Sequence, residues 1–336
     1  MLQTENAFPS LYKNRLFVSI AIALVALMIG LTGVMDPLIL LGVVFFCYAF
    51  LIMLRWPDLA VILFSFIIYT NTAVILIKFH GVPSFIGFAF PLLLVIPFIW
   101  QIVIKNQKIK FGTVFFLMVL YFSVISLGSA FSRDINLALP SWTNFVVEGL
   151  VLYFLVINTV RTPDLLNRVV WTLLIAGGLI GALSLYQQVT GTFNNSYGGF
   201  AQVSGKPFTA EESLGGNVTQ PRVSGPIGEK NRFAQIMLML VPLGMFRAWG
   251  EKTTWLRLLA IMLTSLILIG ATLAFSRGAM VGFLLLIMIM VFMRYIKVHQ
   301  VLILLIGIML LVMAFPAMGT RFSSLSALFS SQDEGG

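Results

Sequence analysis

Charge is scarce in this chain. Only 10% of its 336 residues are Asp, Glu, Lys or Arg, while 59% are hydrophobic and the mean hydropathy is +1.01. A single water-soluble core needs no such apolar excess, so a soluble globule is excluded and a polytopic membrane protein is expected. Cysteine is almost absent. Cys47 alone lies inside an apolar run, which excludes an internal disulfide and a Cys-based metal site and leaves it a packing role. Histidine occurs twice, as His80 and His299. The sequence has no carboxylate cluster, no P-loop and no Gly-x-Ser-x-Gly elbow, so nucleotide hydrolysis and metal-dependent chemistry lack support. No small-residue cleavage pattern follows Met1–Asn14, and no removable signal peptide is expected. Internal repeats are also missing.

The apolar runs do not alternate with polar residues, as barrel strands would, and are apolar on every face. An all-α transmembrane bundle is the fold class that fits. Runs near the roughly 17 to 25 residues needed to cross a bilayer occur at Leu16–Val34, Pro37–Leu54, Leu59–Ile77, Pro83–Ile104, Gly112–Ala130, Phe145–Val160 and Val169–Val189. Others occur at Phe233–Trp249, Leu256–Ala274, Ala279–Met293 and Val301–Met318, giving about eleven spans in one integral membrane domain covering residues 1–336. The spans occupy about 16–189 and 233–318, separated by a long polar loop at 190–231 and followed by the start of a second loop at 320–336.

Twenty-one basic residues against 12 acidic ones give a formal charge of +9. The cations are scattered over short loops between spans, a topology pattern that argues against nucleic acid. If Lys13 and Arg15 are cytoplasmic, then Arg55, Lys105, Lys108, Lys110, Arg161, Arg168, Arg247, Lys252, Arg257, Arg294 and Lys297 share their side, as the positive-inside rule requires. The opposite face receives Asp36, Lys78, Arg133, Asp134, the 190–231 loop, Arg277, Arg321 and the C-terminal tail. His80 and His299 then fall on opposite sides and cannot form one dyad or metal site. The main exceptions to the charge bias are the cations of two motifs, and an exception to a topological rule invites a functional reading.

The first motif, Arg222-Val-Ser-Gly-Pro-Ile-Gly-Glu-Lys-Asn-Arg232, closes the 190–231 loop and opens a helix. The loop is rich in Gly and also holds Pro207, Pro221 and Pro226, so no regular helix or strand is expected over most of it, with partial order in its second half. Its length also points to function or disorder. Exposed N–H groups at a helix start favour anions, glycine lets a phosphate approach the backbone, and guanidinium offers paired donors to phosphate oxygens. Arg222, Lys230 and Arg232 with Gly225 and Asn231 thus suit a pyrophosphate. Lys230 and Arg232 equally suit interfacial anchors that snorkel to headgroups.

In the second motif, Phe275-Ser-Arg277-Gly-Ala, two spans are joined with almost no loop to solvate the cation. Arg277 therefore either faces a polar cavity or partner, or snorkels to the outer headgroups. Glu148, an acid inside an apolar run, reads as a functional group, as an ion-pair partner of an outer arginine, or as a solvated interfacial residue. Tyr186, Gln187 and Gln188 read as a sugar-facing wall or as part of an aromatic belt.

Taken in order, Arg222 to Asn231, Arg232-Phe-Ala-Gln-Ile with Pro242, Phe275-Ser-Arg277-Gly-Ala and Arg321-Phe322 resemble the O-antigen ligase and polymerase superfamily of bacterial envelope glycosyltransferases. The resemblance covers mainly the second half, from about Val189. It implies transfer of a glycan from undecaprenyl pyrophosphate to a lipid A core or a growing polysaccharide at the periplasmic face of the inner membrane, without metal, nucleotide or other cofactor. Membrane lipids are implied partners and nucleic acid is not. Arg222 and Arg277 would stabilise the pyrophosphate leaving group, while Gly225, Lys230, Asn231, Arg232, Glu148 and Arg321 would bind substrate. Such proteins carry a second large periplasmic loop with a histidine able to act as general base. That histidine has no counterpart before Gly336, so the expectation is a C-terminally truncated member that binds donor and is incomplete as a catalyst. Polymerase and protein O-oligosaccharyltransferase activities are alternatives within the resemblance. Outside it, a transporter for anionic solutes would use the same arginines, though no paired broken helices in two related halves are evident.

Overall fold

A computed structural model describes residues 51–83, 85–131, 142–204, 208–211, 217–297 and 300. The expected spans at Leu16–Val34 and Val301–Met318, most of Pro37–Leu54, and Cys47, His299 and Arg321 lie outside the described residues. The fold is mostly helical. Its helices are α1 (Pro57–Tyr69), α2 (Thr72–His80), α3 (Phe85–Leu92), α4 (Val95–Ile99, continued by π-helical Trp100–Ile104) and α5 (Thr113–Ala130). After a π-helical stretch, Phe145–Val151, come α6 (Leu152–Thr159), α7 (Pro163–Thr190), α8 (Lys230–Gly250), α9 (Thr254–Leu273) and α10 (Arg277–Phe292).

Among the described residues, four helical stretches are long and apolar enough to cross a membrane: Trp142–Thr159, Pro163–Thr190, Lys230–Gly250 and Thr254–Leu273. Phe90–Ile104, Thr113–Ser129 and Arg277–Phe292 are apolar but shorter. Each expected run that falls on these residues is helical. The run at Leu59–Ile77, however, is not one straight helix. It breaks between α1 and α2 with a bend of 57°, because the polar triplet Thr70-Asn71-Thr72 interrupts it and Asn71 takes a left-handed conformation, φ 54°, that its short side chain tolerates. Helix α7 starts six residues earlier than its apolar run. Pro163 fits the first helical position, and the Thr162 hydroxyl accepts from the Leu165 amide at 3.3 Å, so the capping residues, not the hydrophobic pattern, fix the start.

The chain divides into two compact units, residues 1–64 with 91–166 and residues 65–90 with 167–336. The first holds an aromatic cluster in which Phe154 of α6 meets Phe98 edge-on at 5.4 Å and Phe111 at 5.6 Å. Further along, Phe122 and Phe145 stack at 5.8 Å. Helix α5 leaves Phe116, Leu117, Leu120 and Leu127 largely exposed, a face that suits hydrocarbon rather than water.

The second unit is built on α7, α8 and α9, whose core includes Leu174, Met237, Val241, Ile267 and Phe233, all essentially buried. Glycine permits the close approach. A Cβ added at Gly181 of α7 would stand 2.2 Å from the Leu266 carbonyl oxygen of α9, and one at Gly244 of α8 would stand 2.0 Å from the Thr264 hydroxyl. Without a hydrophobic drive between helices in lipid, such small-residue contacts supply the van der Waals attraction. Gly181→Ala should therefore destabilise by roughly 1–3 kcal/mol. Gly282→Ala on α10, where nothing lies within 4 Å, should be neutral or slightly stabilising. Thermal unfolding of the two variants in the same detergent checks this, and equal midpoints would contradict the backbone clash.

Candidate functional site

The 190–231 segment is more regular than its composition suggests. Two short antiparallel pairs form: β1 (Gln202–Val203) with β4 (Val223–Gly225), and β2 (Phe208–Glu211) with β3 (Asn217–Gln220). In the first pair Gln202 faces Gly225 and Val203 faces Val223. Order extends into the first half because buried Gln187 of α7 donates from Nε2 to the carbonyls of Asn195 and Ala201, at 3.0 and 2.9 Å. Gln187 is thus a pin for the loop, whereas Tyr186 is exposed and packs edge-on against Tyr197.

The Ser204 amide donates to the Arg222 carbonyl at 3.1 Å, and the buried Ser224 hydroxyl donates to the Gln202 carbonyl at 2.9 Å. Gly225 has φ 54°, and a Cβ there would come within 2.4 Å of the Phe233 ring. Its role is close packing on the first turn of α8. The Pro226 carbonyl accepts from Asn71 Nδ2 at 2.9 Å, so the break between α1 and α2 is tied directly to the motif. At the other end of α2, His80 Nε2 lies 3.0 Å from the Gly198 carbonyl.

From this frame the half-buried Arg222 side chain reaches the turn between α9 and α10. Its Nη2 donates to the Phe275 carbonyl at 2.8 Å and its Nε to the Ala274 carbonyl at 3.4 Å. Phe275 is fully buried with φ 48°, a strained conformation for a bulky residue that aims its carbonyl at the guanidinium. The next residue, Ser276, caps α10. Its hydroxyl accepts from the Ala279 amide at 3.3 Å and donates to Asn231 Oδ1 at 2.9 Å. Arg277 follows as the first residue of α10 and is exposed. Partial burial, then the positive charge of Arg277, push the Arg222 guanidinium below its ordinary pKa, and Glu229 opposes them. Two cations are therefore held side by side, one of them at a helix N-terminus where the macrodipole disfavours positive charge.

Arg222, Arg277 and Asn231 are thus brought together, with Gly225 packed behind them. Lys230 is half-buried at the start of α8, and Arg232 is exposed within its first turn. Glu148 belongs to the other unit and is exposed on its π-helical stretch. Arg321 lies outside the described residues. One expectation needs correction. The first amides of α8 are not free for an anion, because Glu229 occupies them: its carboxylate accepts from the Asn231 and Arg232 amides at 3.0 and 2.7 Å. A carboxylate there satisfies orphan donors and meets the positive helix end, so any external anion is left to the arginines. Ser276, Glu229 and Asn71 were missed as site residues. The first two carried a readable signal as capping types ahead of helices, and the third as a polar triplet inside an apolar run.

Among the described residues, no three His, Cys, Asp or Glu side chains gather as a metal site would require. Comparison with family models, with curated proteins and with solved structures returns no match.

The hydrogen bonds from the Arg232 amide and then the Asn231 amide hold the Glu229 carboxyl below its ordinary value of 4.5. A depressed carboxylate stabilises the fold above that value and ceases to do so as pH falls through the lower folded value. Glu229→Ala should accordingly cost about 1 kcal/mol at pH 7, and the difference from wild type should shrink on acidification below the ordinary carboxylate range. Unfolding followed at both pH values tests it; a pH-independent difference would deny the cap.

Proposed function

We propose that this chain is a membrane glycosyltransferase of the O-antigen ligase-like kind, moving a glycan from undecaprenyl pyrophosphate to a lipid A core or a growing polysaccharide. In this reading the bundle has about eleven spans, lies in the bacterial inner membrane with its N-terminus cytoplasmic, and carries the 190–231 loop on the periplasmic face. The observation that supports it is the docking of Arg222 on the Ala274 and Phe275 carbonyls beside Arg277. Two motifs distant in sequence meet there, and the carboxylate that acts on Arg222 among the described residues, Glu229, is committed to capping α8. A preorganised pair of guanidinium groups of this kind is complementary to a diphosphate.

The chemistry follows from that complementarity. The acceptor hydroxyl attacks the anomeric carbon, the bond from that carbon to the pyrophosphate oxygen breaks, and the electron pair leaves with the pyrophosphate. Arg222 and Arg277 offset the negative charge that grows on this leaving group, and because their frame is already rigid little reorganisation is needed. The hydroxyl proton passes to a general base, a role to which a guanidinium is unsuited. Asn231, fastened to Ser276, fixes the distance between the start of α8 and the start of α10. Lys230 and Arg232 extend the positive surface toward the rest of the lipid-linked donor.

A carrier for anionic solutes is the second reading, and the broken helix α1–α2 favours it, since interrupted helices commonly build transport sites. Proteoliposomes supplied with lipid-linked glycan and acceptor separate the two. Arg222→Ala and Arg277→Ala should each lower transfer by about 100-fold or more and weaken binding of undecaprenyl pyrophosphate, which reads the site without turnover. Transfer and binding unchanged in both variants would overturn the proposal, and solute flux without transfer would select the carrier.

A further inference from the structure

The first unit carries a second group of cations that the proposed reaction does not use. Residues 105–112 join the π-helical stretch Trp100–Ile104 to α5, and they expose Lys105, Lys108 and Lys110 together with Ile109 and Phe111. No Asp or Glu lies within this segment. A basic loop that serves only to orient a membrane protein needs its charge and nothing more. This one is also held in a defined shape.

The holder is Asn158, fully buried near the end of α6. Its Oδ1 accepts from the Lys110 amide at 2.8 Å, and its Nδ2 donates to the Lys110 carbonyl at 3.0 Å and to the Phe154 carbonyl at 2.9 Å. One side-chain amide thereby grips both backbone groups of a single residue, as a neighbouring strand would. Arg161 extends the grip. Its Nε donates to the Asn158 carbonyl at 2.9 Å, its Nη2 to Asn158 Oδ1 at 2.6 Å, and its Nη1 to Gln107 Oε1 at 2.9 Å. The Gln107 amide in turn donates to the Gln101 carbonyl at 3.1 Å.

The guanidinium is thus spent inside the protein, while the three lysine ammonium groups make no hydrogen bond or ion pair with any described residue. Fixing a polar loop costs conformational entropy, and topology alone gives no return for it. The fixed lysines stand where apolar helical stretches end, with an exposed isoleucine and phenylalanine among them. Clustered Lys beside apolar side chains at a helix end matches the phosphate and acyl boundary of an acidic lipid. We propose that Lys105, Lys108 and Lys110, presented by the Asn158–Arg161 clamp, bind the headgroup of an anionic phospholipid. This site is independent of the glycan-transfer reading.

The test uses the whole protein in micelles of equimolar phosphatidylglycerol and phosphatidylcholine, with retained lipid counted by native mass spectrometry. Wild type should retain phosphatidylglycerol several-fold over phosphatidylcholine, and the K105Q/K108Q/K110Q variant should retain both equally. A K78Q/K252Q/K297Q variant, which loses the same charge elsewhere, should keep the preference. Asn158→Ala removes no charge and should weaken the preference by loosening the loop; if it misfolds, Arg161→Lys, which keeps charge and loses the fork, should do the same. Undiminished preference in the first variant, or equal loss in the second, overturns the site. So does retention of inorganic phosphate as firmly as phosphatidylglycerol, which would assign the lysines to a soluble anion.

Discussion

The hydrogen bonds from the Arg222 guanidinium to the carbonyls of Ala274 and Phe275 are the constraint to which the second unit is fitted. A cation that donates to backbone carbonyls needs those carbonyls turned outward from the end of a helix, and the left-handed turn at Phe275 provides that. The same turn starts α10 immediately, which puts Arg277 at its first position. Like charges then share one corner of the structure, and the repulsion between them is tolerated because neither is fully desolvated. A buried pair without counter-charge would not persist. The corner therefore holds two positive charges close together, and under the proposed function a bound diphosphate would offset their repulsion.

The rest of the unit keeps that corner rigid. The β1–β4 pair anchors the backbone on either side of Arg222, Gly225 lets the Phe233 ring lie against it, and Glu229 and Ser276 finish the two helix ends that converge there. Each of these contacts uses a residue whose type is dictated locally: a small residue where a ring approaches, an acceptor where amides are orphaned. The packing sets the guanidinium against the Ala274 and Phe275 carbonyls.

The helices were legible in the sequence because the bilayer imposes length and apolarity on every face, and those are properties a run of residues displays openly. The two arginine motifs stood out in the sequence as cations set beside apolar runs. What could not be read was which neighbours they would find. Glu229 was given no role from the sequence, yet the amides it accepts from are those expected to be open to an anion. Gln187 read as part of a sugar-facing wall or of an aromatic belt, and it also pins the loop, since only the folded loop reveals the carbonyls of Asn195 and Ala201 around it. Asn71 sat in a stretch that counted as one span, where two threonines and an asparagine weighed little against the surrounding isoleucines. Pairings of this kind depend on long-range contacts that no local pattern encodes.

The broken helix α1–α2 also bears on how the protein is made. The Tyr69 hydroxyl donates to the Ile236 carbonyl across 167 residues, and the Asn71 amide reaches the Pro226 carbonyl across 155. A ribosome adding about 5–20 residues per second takes on the order of 10–30 s to supply those partners. During that interval the Tyr69 and Asn71 side chains lack the carbonyls they meet in the folded chain. The Thr70 hydroxyl finds its partners within the segment itself, whereas Tyr69 and Asn71 gain theirs only after the second half of the chain is made.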